Sequence, residues 1–454
     1  MSNTLVILGA GGDLAGRYLL PALTRLAAAG ELPPEVRIVG VDRGPGSDES
    51  FRDQARERLR RHLPDHDPQA AASLLERLCY RQADVTSADE LATALRDLAP
   101  STVYLALPNR VYGDTVAALS RAGLPEQTML VFEKPFGTGL ADACGLNETI
   151  RGGFGEHRVF RIDHFLAKQT VLNVLGLRFA NRLFEPVWNN THIERVDIVW
   201  DESLGLEGRA GYYDHAGALR DMIQNHLLQL LALIAMEPPT SLSERDLRDR
   251  KVDLLRAIAA PGPARMASAT RRARYTAGRV DERDLPSYTD EEGVDPARGT
   301  ETFAEVTLHI ENWRWAGVPF RLRSGKALAT DRREIAVHFR PVPHQPFATI
   351  DDQATRNVLR FSLDPDEIAV EINLNGAGDP FELEREQLAA TFARQQLPPY
   401  SLLLREIMQR DPTLSIRDDE AEESWRIVEP ILAAWTDGTV PLEEYPAGSA
   451  GPAR

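Results

Sequence analysis

The sequence predicts a doubly wound α/β domain with a parallel sheet at residues 1–165, followed by an α+β domain with a large antiparallel sheet at residues 166–454. Three observations support this prediction. The chain of 454 residues is too long for one ordinary core. Short apolar runs alternate with helical patterns in the first domain, which is typical of parallel sheets with helical crossovers. Later segments show the period-two alternation of half-exposed strands.

The first domain begins with a β-run that leads directly into a glycine-rich turn. The run NTLVILG overlaps the start of GAGGDLAGRYLLPAL, which combines this turn with the first helix. Residues 51–62 follow as a charged helical pattern. The predicted strands of the domain are 3–9, 36–42, 102–107 and 128–132.

The second domain mixes helices with strands. Residues 165–185 and 216–237 are predicted to be helical. The segment 261–300, rich in Arg, Asp, Gly and Pro, is predicted to be a surface excursion, and the final YPAGSAGPAR is predicted to be a loose tail. The predicted strands are 193–200, 301–310, 318–323, 334–340 and 367–374.

Composition argues against several classes of protein. Hydrophobic residues make up 43% and charged residues 26%, as in ordinary soluble proteins. No apolar run is long enough to predict a membrane span, and the N-terminus lacks the basic region of a signal peptide. The net charge of −16 argues against nucleic acid as a partner. The two cysteines have no metal-ligand spacing, so we expect no metal site, no disulfide framework and a cytoplasmic location.

The glycine-rich turn is typical of a dinucleotide site. Gly9, Gly11 and Gly12 follow the first strand and open the first helix, whose N-terminal N–H groups and positive dipole favour a pyrophosphate. The spacing departs from the standard G-x-G-x-x-G, and an ordinary glycine turn is the alternative interpretation. The second strand ends in Asp42 and Arg43. Asp42 favours the ribose hydroxyls of NAD and Arg43 favours the 2′-phosphate of NADP, so this pattern leaves the cofactor open.

Lysine is rare in this chain, which has 52 basic residues but only four lysines. In a chain that uses arginine for most of its basic residues, a retained lysine offers a compact, mobile ammonium where arginine would present a wide planar group. Chance explains any single lysine about equally well. Three of the four, Lys134, Lys168 and Lys326, lie in motif-like segments, which favours a functional role.

Three polar segments carry residues suited to alcohol oxidation: RIDHFLAK, RDMIQNHLLQ and RLRSGK. This reaction needs a base that takes the hydroxyl proton while hydride leaves the carbon, and histidine suits that role near neutral pH. His226 is predicted to be the base, with Asp163 behind it to orient the imidazole. The alternatives are a histidine that only packs in the core and, for RLRSGK, a solvated basic turn.

Four segments strongly resemble the signatures of the glucose-6-phosphate dehydrogenase family. They are FEKPFG, RIDHFLAK, YYDHAGALRDMIQNHLLQLLALIAMEPP and VPFRLRSGKAL, and their order and spacing match as well. The resemblance covers nearly the whole chain. It implies a Rossmann domain plus an α+β domain whose large antiparallel sheet forms a homodimer. It also implies a sugar or sugar phosphate as the small-molecule partner.

The resemblance implies a role for each matching residue. His226 would be the general base and Asp163 its carboxylate partner, while Lys134, next to Pro135, would contact both cofactor and substrate. NADP is the predicted cofactor, with NAD as the alternative. The implied substrate ligands are Lys134, His164, Lys168, Glu202, Asp221 and Lys326, and the implied cofactor contacts are Gly9, Gly11, Gly12, Asp13, Leu14, Arg43 and Lys134.

Departures from the family pattern cluster at the phosphate end of the substrate. Phe165 replaces the phosphate-binding tyrosine of the usual RIDHYLGK. Asp331 stands where the family usually has Lys or Arg, and Asp364 where it has Gln. Gly16 and Tyr18 replace two lysines of the first helix. A loss of about 3 kcal/mol beside a phosphate dianion would weaken binding roughly a hundredfold.

The leading hypothesis is oxidation of the C1 hydroxyl of glucose 6-phosphate to 6-phosphogluconolactone, with hydride transfer to NAD(P). In that case Arg332 or Arg333 takes over from the missing cation. The alternative keeps the C1 chemistry but uses an unphosphorylated, amino-bearing or otherwise substituted hexose, which Asp331 and Asp364 would favour. A remote alternative is a non-catalytic nucleotide-sensing protein, against which the presence of His226 argues.

Overall fold

The computed structural model describes residues 4–347, 356–378, 381–393 and 395–453. The chain divides into two compact units, each assembled from three stretches of sequence. The first unit comprises Met1–Lys168, Thr240–Arg248 and Gln395–Glu422, and the second comprises Gln169–Pro239, Asp249–Arg394 and Glu423–Arg454. The predicted domain boundary after residue 165 stays a prediction.

The strands are numbered along the chain. They are β1 (Thr4–Leu8), β2 (Arg37–Asp42), β3 (Leu78–Gln82), β4 (Thr102–Leu105), β5 (Met129–Glu133), β6 (Val159–Ile162), β7 (Ile193–Asp201), β8 (Ile258–Ala259), β9 (Thr270–Thr276), β10 (Gly278–Val280), β11 (Arg283–Leu285), β12 (Phe303–Ile310), β13 (Pro319–Gly325), β14 (Arg332–Phe339), β15 (Val358–Leu363), β16 (Asp366–Asn375), β17 (Leu383–Thr391), β18 (Ser415–Ile416) and β19 (Leu442–Pro446).

The α-helices are numbered in the same way. They are α1 (Leu20–Ala28), α2 (Asp48–His62), α3 (Pro68–Glu76), α4 (Ala88–Leu95), α5 (Tyr112–Arg121), α6 (Leu140–Gly153), α7 (Gln169–Phe179), α8 (Ala210–Ala218), α9 (Leu228–Ala235), α10 (Glu244–Arg256), α11 (Met266–Ala269), α12 (Pro399–Gln409) and α13 (Asp418–Thr436). Two further segments, Ala15–Leu19 and Leu219–Leu227, are π-helical.

The first unit is built on a parallel sheet with the strand order β18-β6-β5-β4-β1-β2-β3. Every neighbouring pair is parallel except β18 with β6. The order reverses at β1, whose neighbours are β2 and β4, and helices connect the successive parallel strands. The predicted doubly wound fold is therefore confirmed.

The core of the first unit includes a late stretch of the chain. Apolar side chains of β1, α1 and α3 pack in one cluster with Leu403, Leu404 and Ile407 of α12. These three are at most 4% exposed. Because α12 lies more than 200 residues after β6, this part of the core was not apparent from the local pattern.

Ten strands of the described residues form the sheet of the second unit, in the order β17-β16-β15-β14-β7-β13-β12-β9-β19, with β8 on β12. Most neighbours are antiparallel, as predicted, but β7 with β13 and β9 with β19 are parallel. Alternate residues of the central strands are apolar and buried, including Val196, Ile198 and Ile335. The helical segment Leu219–Leu227 packs against β7, β12 and β13, and α7 packs against β15 and β16.

The opposite face of this sheet carries paired charges, and we call it the polar sheet face. Its centre is Asp197, which lies 3.1 Å from Arg321 and 3.0 Å from His338. Burial opposes ionisation of Asp197, but the His338 hydrogen bond and the Arg321 charge outweigh it and hold its pKa at about 2. Farther out, Arg360 pairs with Glu334 at 3.1 Å. The face is thus stabilised as an ionic layer.

Two predictions for the second unit were wrong. The segment 261–300 contains β9, which pairs with β12 and β19, and it buries Tyr275 and Tyr288 to 1% exposure. The final segment is ordered as well, because β19 joins the sheet and the Tyr445 hydroxyl donates to the Lys326 carbonyl at 2.6 Å. None of the helices in the described part of the chain has the length and apolarity that a membrane span requires.

Candidate active site

In the first unit, the predicted cofactor residues lie at the carboxyl ends of β1 and β2. Gly9 has φ of +82° and donates its N–H to Val41 O at 2.8 Å. A Cβ on Gly9 would lie 2.4 Å from Ala106 O, so this tight turn requires glycine. Gly12 then closes the turn through its N–H to Gly9 O at 2.9 Å. The turn, which continues through Asp13 and Leu14 into the first helix, fits a dinucleotide pyrophosphate.

Asp42 is held against this turn by two backbone donors. Gly11 N–H donates to its Oδ2 at 2.9 Å, and Arg43 N–H donates to its Oδ1 at 2.8 Å. Arg58 of α2 braces the other side of the turn, because its guanidinium donates to the carbonyls of Ala10, Gly11 and Gly12. Arg58 was not identified from the sequence, where it is one charge in a strongly charged helix.

Lys134 follows β5 and precedes Pro135 through a cis peptide bond. Its neighbour Glu133 is 6% exposed and accepts a hydrogen bond from the Tyr104 hydroxyl at 2.5 Å. Burial raises the pKa of Glu133 to about 7, although Tyr104, Lys134 and Tyr400 each oppose the shift. A carboxyl with this pKa changes its charge near neutral pH, directly beside a predicted substrate contact.

Asp163, His164 and Lys168 follow β6 at the same edge of the sheet. Asp163 is fully buried, and its Oδ1 accepts the Phe165 N–H at 2.9 Å, which starts the 3-10 turn His164–Ala167. The Lys168 ammonium lies 5.5 Å from the centre of the Phe165 ring. The carboxyl edge of the parallel sheet therefore gathers the predicted residues of the first unit, as expected for doubly wound folds.

Two of the departures from the family pattern belong to one aromatic stack. The rings of Tyr18 and Tyr400 are stacked with centroids 5.0 Å apart, and Tyr400 stacks on His164 at 5.6 Å. Phe165 meets the other side of this group, edge-on to His164 at 5.1 Å. Phe165 and Tyr400 thus contact the ring of His164, a predicted phosphate ligand, and Tyr18 packs on the far partner, Tyr400. Tyr400 was not identified, because it lies far along the sequence from RIDHFLAK.

In the second unit, the ends of the parallel pair β7 and β13 bring Glu202 and Lys326 together. Asp201 pairs with Gly325 in the register, so the next residues of both strands are adjacent. The Lys326 ammonium lies 2.6 Å from the Glu202 carboxylate. This ion pair offers a sugar hydroxyl both a donor and an acceptor.

His226 lies on the π-helical segment Leu219–Leu227, next to α8. The helix predicted over 216–237 is present as the segment Leu219–Leu227 continued by α9, and Gly217, whose φ is +68°, separates it from the preceding turns of α8. The buried Glu301 caps the new start, because it accepts the Leu219 N–H at 3.0 Å. His226 itself is 1% exposed.

Asp221 lies on the same segment as His226 and is 9% exposed. Tyr212 of α8 donates its hydroxyl to Asp221 at 3.2 Å. This segment packs against β7 and β13, the two strands that lead into Glu202 and Lys326. The second unit therefore contains one candidate base and three candidate hydroxyl ligands.

The predicted phosphate end of this unit contains a compensated arginine. Arg333 lies 2.8 Å from Asp331, forms a second ion pair with Asp364, and stacks 5.1 Å from the Trp200 ring. Burial opposes ionisation of Asp331, but the Ser203 N–H at 2.6 Å and the Arg333 charge lower its pKa below the ordinary value. Two carboxylates and one guanidinium thus carry a net negative charge.

Arg332, the other candidate replacement for the missing cation, is directed elsewhere. Its Nε lies 3.0 Å from Glu334, and it occupies the position next to Arg333 on the same strand. Successive side chains of a strand point to opposite faces, so only Arg333 lies on the face of Asp331. The predicted pair of His226 with Asp163 involves residues of different units and stays a prediction.

Comparison with known proteins assigns nearly the whole chain to one protein family. The family model described as "Glucose-6-phosphate dehydrogenase, NAD binding domain" matches residues 6–173, and "Glucose-6-phosphate dehydrogenase, C-terminal domain" matches residues 175–454. The glucose-6-phosphate 1-dehydrogenase of Treponema pallidum (strain Nichols) is 43% identical, over 99% of this chain and 92% of the relative.

Solved structures agree with this assignment. Glucose-6-phosphate 1-dehydrogenase from Mycobacterium avium has a TM-score of 0.88 and 34% identity, over 99% of this chain and 95% of its own. A structure described as glucose-6-phosphate dehydrogenase in complex with its substrate glucose-6-phosphate has a TM-score of 0.90 and 32% identity, over 99% and 96%. By sequence and by fold, this chain belongs to the glucose-6-phosphate dehydrogenase family.

Proposed function

We propose that this chain oxidises the C1 hydroxyl of glucose 6-phosphate to 6-phosphogluconolactone, with hydride transfer to NAD(P). The observation that carries the proposal is the placement of four polar residues in the second unit. His226 and Asp221 share one segment, which packs against the strands leading into Glu202 and Lys326. The match to relatives named for this activity extends over 99% of the chain and supports the same reaction.

His226 acts as the general base in this proposal. Its neutral imidazole accepts the proton of the C1 hydroxyl as the C1–H bond breaks, and the bound nicotinamide accepts the hydride. Asp163, the proposed partner, orients the ring and stabilises the imidazolium that forms. Because His226 is 1% exposed, water competes little for its basic nitrogen.

The sugar hydroxyls are bound by a set of alternating charges. The Lys326 ammonium donates hydrogen bonds to the sugar hydroxyls, and the Glu202 carboxylate accepts hydrogen bonds from them. The two groups lie side by side as an ion pair, 2.6 Å apart. Asp221 adds a second acceptor, and Lys134, at the carboxyl end of β5, contacts both ligands in this proposal. Opposite charges at fixed positions discriminate among hydroxyl orientations, because each hydroxyl both donates and accepts.

The phosphate would be bound by His164 and Lys168, which the first unit holds at the carboxyl edge of its sheet. NADP, the predicted cofactor, is supported by Arg43, whereas Asp42 supports NAD.

A second candidate keeps the C1 chemistry but replaces the phosphorylated sugar with an unphosphorylated or amino-bearing hexose. The observation that favours it is the pairing of Arg333 with both Asp331 and Asp364. A guanidinium balanced by two carboxylates attracts a dianion weakly, while the carboxylates favour hydroxyls or an ammonium.

Initial rates with glucose 6-phosphate, glucose and glucosamine, each with NADP and NAD, separate these candidates. We expect the highest kcat/KM with glucose 6-phosphate. A far higher kcat/KM with glucosamine or glucose would overturn the leading proposal in favour of the second candidate.

The base assignment is tested by His226→Asn. We expect kcat to fall by roughly 10²- to 10⁴-fold, because the hydroxyl proton then has no acceptor. Cofactor binding, followed by the fluorescence of the reduced nicotinamide, is expected to stay unchanged. Undiminished turnover would refute the role of His226, while lost turnover with intact binding rules out the non-catalytic nucleotide sensor.

A homodimer and a cytoplasmic location are also part of the proposal. Leu374 and Leu388 of the outer strands β16 and β17 are 47% and 59% exposed, and apolar surface on outer strands favours burial against a second copy. Sedimentation measures the oligomeric state directly. The free thiols Cys79 and Cys144 support a reducing compartment.

A further inference from the structure

We propose that Asp42 makes NAD, and not NADP, the preferred cofactor of this chain. The inference rests on the proposed function only for the location of the dinucleotide site, which the glycine turn after β1 identifies. It is independent of which sugar is oxidised. The sequence alone left this choice open, because Asp42 and Arg43 favour opposite cofactors.

The Asp42 carboxylate is fixed in place before any ligand arrives. Each of its oxygens accepts a backbone N–H, from Gly11 at 2.9 Å and from Arg43 at 2.8 Å. A Cβ on Gly11 would lie only 2.6 Å from Oδ2, so carboxylate and turn are in close contact. A side chain held by two donors at the end of β2 cannot withdraw from a ligand without losing both hydrogen bonds.

This location is where a dinucleotide of a doubly wound fold places its adenosine ribose. The ribose of NAD carries two hydroxyls there, and both can donate to the remaining lone pairs of a carboxylate. NADP replaces the 2′-hydroxyl with a phosphate that only accepts and carries close to two negative charges. The Asp42 carboxylate therefore stabilises bound NAD through the 2′-hydroxyl and destabilises bound NADP by repelling its 2′-phosphate.

Of the two arginines that might offset this repulsion, Arg58 is directed to other groups. Arg58 donates to the carbonyls of Ala10 and Gly12 at 3.1 and 3.3 Å, and also to Gly11 O. Its aliphatic chain fills the space beside Gly16, where a Cβ would lie 2.5 Å from Arg58 Cδ. A phosphate ligand at Arg58 would have to compete with the carbonyls that shape the turn.

Arg43 has an exposed side chain on a fixed main chain. The N–H and hydroxyl of Thr86, together with the Arg43 charge, lower the pKa of Asp84 in the loop after β3. The main chain of Arg43 is tied on both sides, since its N–H donates to Asp42 and its carbonyl accepts from Gln82 at 3.0 Å. The fixed main chain holds the Asp42 carboxylate at the ribose position, whereas the exposed Arg43 side chain would have to be ordered before it binds a 2′-phosphate.

Titration of the sugar-free protein with NADH and with NADPH, followed by nicotinamide fluorescence, tests the proposal without any turnover. We expect the wild-type Kd to be at least tenfold lower for NADH. In Asp42→Ser and Asp42→Asn, NADH binding weakens and NADPH binding strengthens, so that the ratio of the two Kd values falls at least tenfold. Two substitutions of different size guard against a local packing defect, and circular dichroism confirms that each variant is folded.

Two control variants locate the effect. Asp65→Ser removes the same charge from an exposed loop after α2, and it is expected to leave the ratio unchanged. Arg43→Ser is expected to retain the preference for NADH. Wild-type protein that binds NADPH as tightly as NADH, or an Asp42 variant with an unchanged ratio, would overturn the proposal. Failure to oxidise glucose 6-phosphate would refute the proposed function and leave these binding ratios as they are.

Discussion

Glu133 and Asp42 are both carboxyls at the end of a parallel strand, yet their surroundings differ. Asp42 accepts two backbone N–H groups at a partly exposed turn. Glu133 is 6% exposed among tyrosines, and burial raises its pKa to about 7. Residue type alone therefore does not fix the charge of a site residue.

Glu133 should make the stability of the protein depend on pH. The unfolded chain releases this proton near the ordinary pKa of 4.5, whereas the folded chain keeps it until about pH 7. The stabilising effect of the protonated group is thus complete below pH 4.5 and is lost as the pH rises to 7. The total loss is roughly 3 kcal/mol in the free energy of unfolding, at about 1.4 kcal/mol per unit.

Urea unfolding of wild type and Glu133→Gln across this pH range measures the effect. The glutamine cannot ionise, so we expect the wild type to lose stability relative to the variant as the pH rises. Glu126→Gln, at an exposed position before β5, is the matched control and should follow the wild type at every pH. Parallel curves for wild type and Glu133→Gln would show that this carboxyl is not held neutral.

At the scale of secondary-structure elements, the segment that carries His226 depends on one backbone conformation. Gly217 has φ of +68°, and a Cβ there would lie 2.4 Å from the Glu301 carboxylate. That carboxylate caps the Leu219 N–H. Any side chain at this position must therefore either strain the break or displace the cap.

We expect Gly217→Ala to destabilise the protein by about 1 to 3 kcal/mol, the approximate cost of placing a residue with a Cβ at φ +68° and ψ 171°, a region that glycine alone adopts readily. The unfolding midpoint should fall, and kcat should fall with it because His226 follows the break. Gly211→Ala is the control in the same helix, since its Cβ would meet nothing within 4 Å. It should be neutral or stabilise by up to about 1 kcal/mol. Equal thermal midpoints for the two variants would contradict this account.

This break also shows where sequence patterns stop being informative. The apolar pattern predicted the helix at 216–237, but it predicted neither the turns of α8 before Gly217 nor the cap by Glu301, which lies far along the chain. β9 was missed for a related reason. Its arginines look solvated in sequence, but Arg271 and Arg274 pair with Glu443 and Glu444 of β19 at 2.7 and 3.0 Å.

The strands β1, β2, β4 and β5 of the parallel sheet and the segments around His226 and Asp163 were predicted because their signals are local, whereas β3, β6 and β18 were not predicted. A glycine turn after an apolar run, or a polar motif at a strand end, is complete within about ten residues. Tyr400 and Arg58 were missed, since each acts on residues distant in sequence. Phe165 and Asp331 were identified as departures, but only the structure shows the aromatic stack and the compensated Arg333 around them.

At the scale of the whole molecule, both units are assembled from interleaved stretches of one chain. The first unit obtains Leu403, Leu404 and Ile407 for its core from α12. It also obtains Tyr400, which hydrogen-bonds to Glu133. The N-terminal stretch therefore lacks part of its own interior.

We expect a fragment of residues 1–168 to fold poorly by itself. The loss of three large apolar side chains from its core removes about 1.5 to 3 kcal/mol each, which is a large part of the stability of a small domain. Fusing residues 395–422 to the fragment through a flexible linker should restore a cooperative urea transition. A sharp transition of the unfused fragment would show instead that the N-terminal stretch is self-sufficient.

The late position of α12 also sets the order of events during synthesis. A ribosome makes about 5 to 20 residues per second, so roughly ten to fifty seconds separate the completion of β6 from that of α12. Throughout this interval the nascent first unit exposes the apolar surface that α12 will cover. Until α12 arrives, this surface is therefore open to association with other chains.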